Sequence, residues 1–307
     1  MTRSPYPEFY IIGAAKAGTT SLVDMLRAHE DVWFPHEKEP HHFFVRDDPR
    51  EWQIHDGSRV RPLVDTLPYG SDTAYRALYE AAPDGALRGD ASTQYLVNAN
   101  AAAALHAQRP DAKVAVVLRH PTDRAYSAYL HARSRGEEPC GSFGQALDDC
   151  VAGRRETDFA INYVAEGEYA RHLEAWKARF GENLLVILFE DLISDPQGVL
   201  DRMTGHLGLA PLEYRAEDAS HKNASIELGN PFARAFRMAA KRLRRMAPAL
   251  FELPLFRKPY EFLLSRLGRK PEGIPAEQRS RLDSHYAGHI RELERAIGRD
   301  LSHWRRR

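Results

Sequence analysis

Lys16 lies in the run GAAKAGTTSL, Gly13–Leu22, between an apolar stretch, Phe9–Ile12, and the helix-spaced residues Leu22, Met25 and Leu26. At a strand-to-helix turn, backbone N–H groups and the positive end of the helix dipole converge and make an anion site. Lys16, Ala17, Gly18, Thr19, Thr20 and Ser21 form the cradle here; Gly18 lets the backbone approach the anion, and the three residues after it add hydroxyl donors. Set against the pattern GxxxxGK[ST], the glycine spacing is kept, but Thr19 stands where the lysine should be. A nucleoside triphosphate loop uses that later lysine for the β and γ phosphates and a neighbouring hydroxyl for magnesium. Moving the lysine to Lys16 therefore points to a shorter donor and chemistry that demands no metal. A plain glycine turn would account for the glycines but not for the lysine and hydroxyls.

Arg119 closes the β-rich run Val114–Leu118, and Ser127 follows eight residues later on a helix after Pro121. Ligands of open α/β sheets collect at the carboxyl ends of strands, and a guanidinium matches phosphate oxygens in a planar, bidentate way. Both residues can reach a second anion. Arg119 alone could instead pair with a carboxylate at the sheet edge; Ser127 beside it weighs against that. HEKEPHHFF, His36–Phe44, is dense in titratable groups and closed by aromatic residues. Its glutamates and histidines could move a proton, an imidazole being suited to that near neutrality. A solvated charged loop is the plain alternative.

These groups need strands and helices to hold them. Strand, loop and helix are read at Phe9–His29 and again at Lys113–Arg135, and a third strand, Leu184–Phe189, follows an amphipathic helix at Tyr169–Phe180. Such alternation gives an α/β fold with a central parallel sheet flanked by helices. Phe43–Gly89 and Glu137–Glu168 are mixed and make no separate domain. From Phe232 to Lys270 arginine and lysine outnumber acidic residues, with Phe236, Leu243, Leu250 and Phe256 interleaved, as in a basic helical extension. Pro275–Trp304 has Leu282, Tyr286, Ile290, Leu293 and Ile297 at helical spacing and packs back on the body.

With 307 residues and 43% hydrophobic content, the chain can bury a substantial core in one domain, 1–307. Lys+Arg and Asp+Glu are both 43, which argues against a whole-surface nucleic-acid binder. Cys140 and Cys150 are too few for a disulfide framework and lack metal-ligand spacing, which fits a reducing compartment. MTRSPYPEF runs directly into the first strand without the features of a secretory signal, and no run approaches the roughly 18 apolar residues of a membrane span. A cytoplasmic protein is the expectation.

GAAKAGTTSL resembles the 5'-phosphosulfate loop of the sulfotransferases, often PKxGTTxL: Lys16, Gly18, Thr19 and Thr20 match, and Ala15 replaces the proline. Arg119, Pro121, Arg124 and Ser127 match that family's 3'-phosphate motif, RxPxxRxxS. His36–Phe44 is similar to its KEPHFF-like segment: Glu39 matches the general base, His41 the neighbouring histidine, and His42 replaces the usual aromatic residue. The likeness is greatest to the branch of bacterial small-molecule enzymes and heparan sulfate sulfotransferase domains.

The resemblance implies a P-loop-like three-layer fold and in-line transfer of a sulfuryl group from 3'-phosphoadenosine 5'-phosphosulfate. Lys16 would bond the bridging oxygen, Glu39 would take the acceptor's proton and His41 would orient the base or acceptor; His41 as sole base stays open. DASTQYL, Asp90–Leu96, resembles the segment lining the acceptor cleft, so Asp90, Ser92 and Tyr95, with His42, are expected acceptor contacts, against capping and core packing. HKNAS, His221–Ser225, stands where the family has a loop over the nucleotide, which gives Lys222 and Asn223 to the 3'-phosphate or adenine. The acceptor would be a hydroxyl, or else an amine, of a small molecule, sugar or lipid-linked natural product. Residues 232–270 would then be a lid or insertion, or a peripheral membrane contact. Two other functions fit parts of the pattern. One is a P-loop nucleotide kinase or NTPase with LFED, Leu188–Asp191, as its magnesium-holding strand end; the missing lysine after Gly18 counts against it. The other is a non-catalytic nucleotide-binding module, against which Lys16 and Glu39 count together.

Overall fold

A computed structural model of the chain describes residues 3–46, 48, 50–56, 59–215 and 273–305. Lys222, Asn223 and the segment 232–270 lie outside the described residues. In chain order the elements begin with β1 Phe9–Ile11, α1 Thr19–Leu26, β2 Val32–Trp33, α2 His42–Val45, β3 Gln53–Asp56 and β4 Arg59–Pro62. They continue with α3 Asp72–Ala77, β5 Leu87–Asp90, α4 Ala99–Gln108, β6 Lys113–Leu118, α5 Pro121–Arg135 and α6 Phe143–Val151. The described chain closes with α7 Tyr169–Phe180, β7 Leu184–Leu188, α8 Phe189–Ser194, α9 Pro196–Leu207 and α10 Ala276–Ile297.

Five strands form one sheet in the order β2-β5-β1-β6-β7, every pair parallel. β1 and the last five residues of β6 are wholly buried, as expected of apolar strands covered by helices on both faces. Each fully buried Val or Leu of β6 contributes about 1.5–3 kcal/mol. β5 carries no apolar run to mark it as a strand, since two of its four residues, LRGD, are charged. Gly89 makes that strand fit: a Cβ there would come within 2.4 Å of the Phe9 ring and 2.5 Å of Phe34. β3 and β4, also unread, form a separate antiparallel hairpin.

The chain leaves β1 toward β2 and β5 on one side and later occupies β6 and β7 on the other. The carboxyl ends of β1 and β6 therefore flank a change in strand order, where open α/β sheets form their ligand crevice. α5 starts with Pro121 and stops at Gly136, whose φ is +76°. α10 buries Leu282, Tyr286, Ile290 and Leu293. It is tied to α5 where Thr122 donates to Asp283 at 2.6 Å and Arg279 to Asp123 at 2.9 Å. Among the described residues no helix is long and apolar enough to cross a membrane.

Candidate active site

The loop after β1 is clamped to β6 by backbone bonds from Ile12 N to Ala115 O, Ala14 N to Val117 O, and Val117 N to Gly13 O, all 2.7–2.9 Å. Gly18 precedes the first residue of α1 with φ +90°, and a Cβ on it would meet the Phe189 ring at 2.9 Å. The loop thus delivers the amino end of α1, with Thr19 and Thr20, to a cavity of about 760 Å³ that Lys16, Glu39, His41, Arg119 and Ser127 also line. Ala17 is buried beneath it and Ser21 is half-buried on α1. Among the described residues, the three non-glycine residues with positive φ are Lys16 (68°), His41 (54°) and Ala160 (62°), and all three line this cavity. Left-handed backbone at such residues costs on the order of 1–3 kcal/mol each and concentrates at functional sites.

The Arg119 guanidinium donates to the Lys16 carbonyl at 3.1 Å and lies 4.8 Å from the centre of the Phe189 ring. Tyr169 fixes the Arg119 backbone by donating to its carbonyl at 2.9 Å. On α5, His131 and Arg135 join Ser127 in the cavity lining at helical i+4 spacing, a signal present in the sequence. Arg124 behaves differently. It is fully buried, pairs with Glu166 at 2.9 Å and donates to the Tyr163 carbonyl, so its place in the phosphate motif is structural.

Lys38 is the principal residue missed in the sequence. Its ammonium donates to Thr19 Oγ1 at 3.3 Å, Thr20 Oγ1 at 3.4 Å and Glu39 Oε1 at 3.0 Å, bridging the phosphate loop and the candidate base. Thr93, also missed, donates its hydroxyl to Glu39 Oε2 at 2.8 Å, and His41 Nε2 lies 3.7 Å from the same oxygen. Burial alone would push the Glu39 carboxyl up; Lys38, His41 and the Thr93 hydrogen bond outweigh it and hold the group down at about 2. Burial lowers the Lys16 ammonium, partly restored by Glu39 and lowered further by Arg119 and Lys38. Burial likewise lowers His41, although Glu39 pulls it up, which favours a neutral imidazole. Its Nδ1 is buried with no hydrogen-bond partner.

The four expected acceptor contacts do not line the cavity. Asp90, Ser92 and Tyr95 are fully buried and His42 is 1% exposed. Asp90 accepts from the Ser92 hydroxyl at 2.6 Å, Tyr75 at 2.8 Å and Tyr95 at 3.0 Å. Ser92 Oγ in turn accepts from His41 N at 2.9 Å, and the Tyr95 oxygen accepts from Phe43 N at 3.2 Å. His42 stacks on Tyr75 with centroids 4.2 Å apart and sets Nε2 3.1 Å from Asp72. Side chains at neighbouring positions diverge, so His42 turns inward while His41 faces the cavity. This group builds the wall behind the base, as core packing would have it. In LFED, Asp191 pairs with Arg299 at 2.5 Å and Glu190 accepts from the Trp304 indole at 3.0 Å, so both carboxylates are tied to the segment after α10.

The crevice at the strand-order switch gathers a lysine-bearing strand-to-helix loop, Arg119 with Ser127 and an ionised carboxylate, an arrangement suited to an anionic ligand beside a base. Residues 7–213 match the Sulfotransferase family, and the chain belongs to it. It is 32% identical over 208 residues to human heparan sulfate glucosamine 3-O-sulfotransferase 6, covering 67% of this chain and 54% of that protein. To rat carbohydrate sulfotransferase 15 it is 27% identical over 269 residues, 73% of this chain and 48% of that one. The chain thus spans about half the length of the curated relatives it matches. A crystal structure of a sulfotransferase from Alicyclobacillus acidocaldarius superposes with a TM-score of 0.73 at 27% identity, covering 98% of this chain and 99% of that one.

Proposed function

We propose that this chain transfers a sulfuryl group from 3'-phosphoadenosine 5'-phosphosulfate to an acceptor hydroxyl, releasing adenosine 3',5'-bisphosphate. The observation that carries the reading is that one cavity gathers Lys16 and Lys38 at the phosphate loop, Arg119 with Ser127, and the ionised Glu39. Arg119 and Ser127 suit the 3'-phosphate, and the loop suits the 5'-phosphosulfate. Glu39 takes the hydroxyl proton as the acceptor oxygen bonds to sulfur. The bond from sulfur to the bridging oxygen breaks, its electron pair stays on the nucleotide's 5'-phosphate, and Lys16 stabilises that charge. Lys38 links the two ends of the reaction. A carboxylate held at about 2 is a weak base, and a lysine drawn from Glu39 toward the donor's anionic group would let its basicity rise where the proton must be taken.

The names of the relatives make a sugar hydroxyl the first acceptor to try. Ile54, Phe159 and Ile161 add apolar lining that suits the carbon face of such a molecule. The free cysteines Cys140 and Cys150 support a cytoplasmic location. Calorimetry tests the donor reading: adenosine 3',5'-bisphosphate binds without magnesium, whereas magnesium-dependent ATP binding with no bisphosphate binding would reject it. Donor-dependent sulfation of a carbohydrate and metabolite panel, read by mass spectrometry, then identifies the acceptor.

A further inference from the structure

Glu168, at the amino end of α7, faces two histidines one helical turn apart on α10. His285 Nε2 is 3.1 Å and His289 Nε2 3.8 Å from the same oxygen, Glu168 Oε1. Each of the three residues brings one donor atom within 4.8 Å of the others. Tetrahedral ligands at zinc distances lie about 3.3 Å apart, so small side-chain rotations complete the set. The other ring nitrogen of His289 lies 3.8 Å from Glu292 Oε2, close enough for a small rotation of Glu292 to let that carboxylate orient a metal-bound imidazole.

The backbone under this cluster is already fixed. Glu166, two residues before Glu168, is in the buried pair with Arg124, and a Cβ on Gly167 would come within 2.5 Å of the Tyr286 hydroxyl. Tyr169, just after it, bonds the Arg119 carbonyl. None of the three ligands lines the candidate active-site cavity, so they have no part in the transfer proposed above.

We propose that Glu168, His285 and His289 form a site for a borderline divalent transition ion, of which Zn²⁺ is the type, that staples α10 to the start of α7. Two imidazoles and one carboxylate suit such an ion and not the all-oxygen preference of Mg²⁺ or Ca²⁺. The partial exposure of both histidines, 36% and 31%, leaves the outer face to water as the remaining ligand. Arg171, 3.6 Å from the second Glu168 oxygen, is the competing cation.

The full chain, stripped of metal with a chelator, is titrated with Zn²⁺ against a competing chromophoric chelator and then unfolded thermally. One Zn²⁺ binds per chain, and Tm rises by about 5 °C at a hundredfold excess over Kd. His285→Ala, His289→Ala and Glu168→Gln each weaken binding at least about tenfold while keeping the metal-free Tm, Glu292→Gln weakens it by about tenfold, and Arg171→Ala tightens it. Mg²⁺ gives no shift. Absence of stoichiometric binding, or binding that survives unchanged in the two histidine variants, overturns the proposal; the latter result would place the ion on others of the chain's 14 histidines.

Discussion

Glu39 and Asp90 are carboxylates on the two sides of one wall, and their surroundings drive them in opposite directions. Burial raises Asp90 to about 6 even though Ser92, Tyr75 and Tyr95 all donate to it. Neutral donors do not supply the charge that burial opposes. Glu39 faces the cavity, where the Lys38 ammonium supplies the opposite charge and, with His41 and Thr93 beside it, the carboxyl is held at about 2. The difference separates a group whose partners are fixed in the core from one whose principal partner, Lys38, is on a long side chain that also reaches Thr19 and Thr20. A site that must bind an anion and then move a proton needs the second kind. The first kind keeps His41 and Phe43 in register behind it.

The largest expected effect breaks the cavity side. Glu39→Gln keeps the shape and loses the base, and turnover should fall by about 10²–10⁴-fold with bisphosphate affinity retained. Near-normal turnover would move the base to His41. Asp90→Asn tests the buried side through stability. A carboxyl raised from 3.8 to about 6 contributes stability that is complete below pH 3.8 and lost as the pH rises through 6. The advantage of the wild type over Asp90→Asn in urea unfolding should therefore shrink by about 2 kcal/mol between pH 4 and pH 7.5. Glu39, lowered from 4.5 to about 2, contributes in the other sense: its share is lost only as the pH falls below 4.5. The corresponding difference for Glu39→Gln should be flat from pH 5 to 7.5. Parallel pH curves for the two variants would erase the contrast.

The phosphate loop, β6 with Arg119, and the buried stripe of α10 were legible in the sequence because each is written in a local pattern: apolar run, glycine, hydroxyls, helical spacing. β2 was not, since two residues carry no period, and neither was β5, whose charged residues are buried by distant partners such as Glu8, which accepts from Arg88 at 2.6 Å. In DASTQYL the side chains that line the cavity are Thr93 and Gln94, not the Asp90, Ser92 and Tyr95 that the resemblance implied. The chain turns there so that Thr93 faces Glu39 while Ser92 and Tyr95 face Asp90, and no one-dimensional pattern fixes that choice. Lys38 escaped notice for a related reason: its contacts with Thr19 and Thr20 join segments 18 or 19 residues apart. Arg124 matches the motif equally well in sequence, yet the fold pairs it with Glu166, which no local pattern shows.

Lys38→Met gives the smallest effect and the sharpest cut through the comparison. Methionine keeps the length of the stem and removes the charge, so Glu39 loses the largest of the influences that oppose its burial and its pKa must rise. The acid limb of the pH–rate profile for kcat/KM should then move to higher pH. The same substitution removes a donor beside Thr19 and Thr20, where a charge-assisted hydrogen bond to an anion is worth about 1.5–3 kcal/mol, and Lys38's partial exposure sets the expectation at the low end. Bisphosphate affinity measured by calorimetry should accordingly weaken by about tenfold. A shifted limb with unchanged affinity would confine Lys38 to the base, and weakened affinity with an unshifted limb would confine it to the loop. Either result would refute the exchange of partners that distinguishes Glu39 from Asp90.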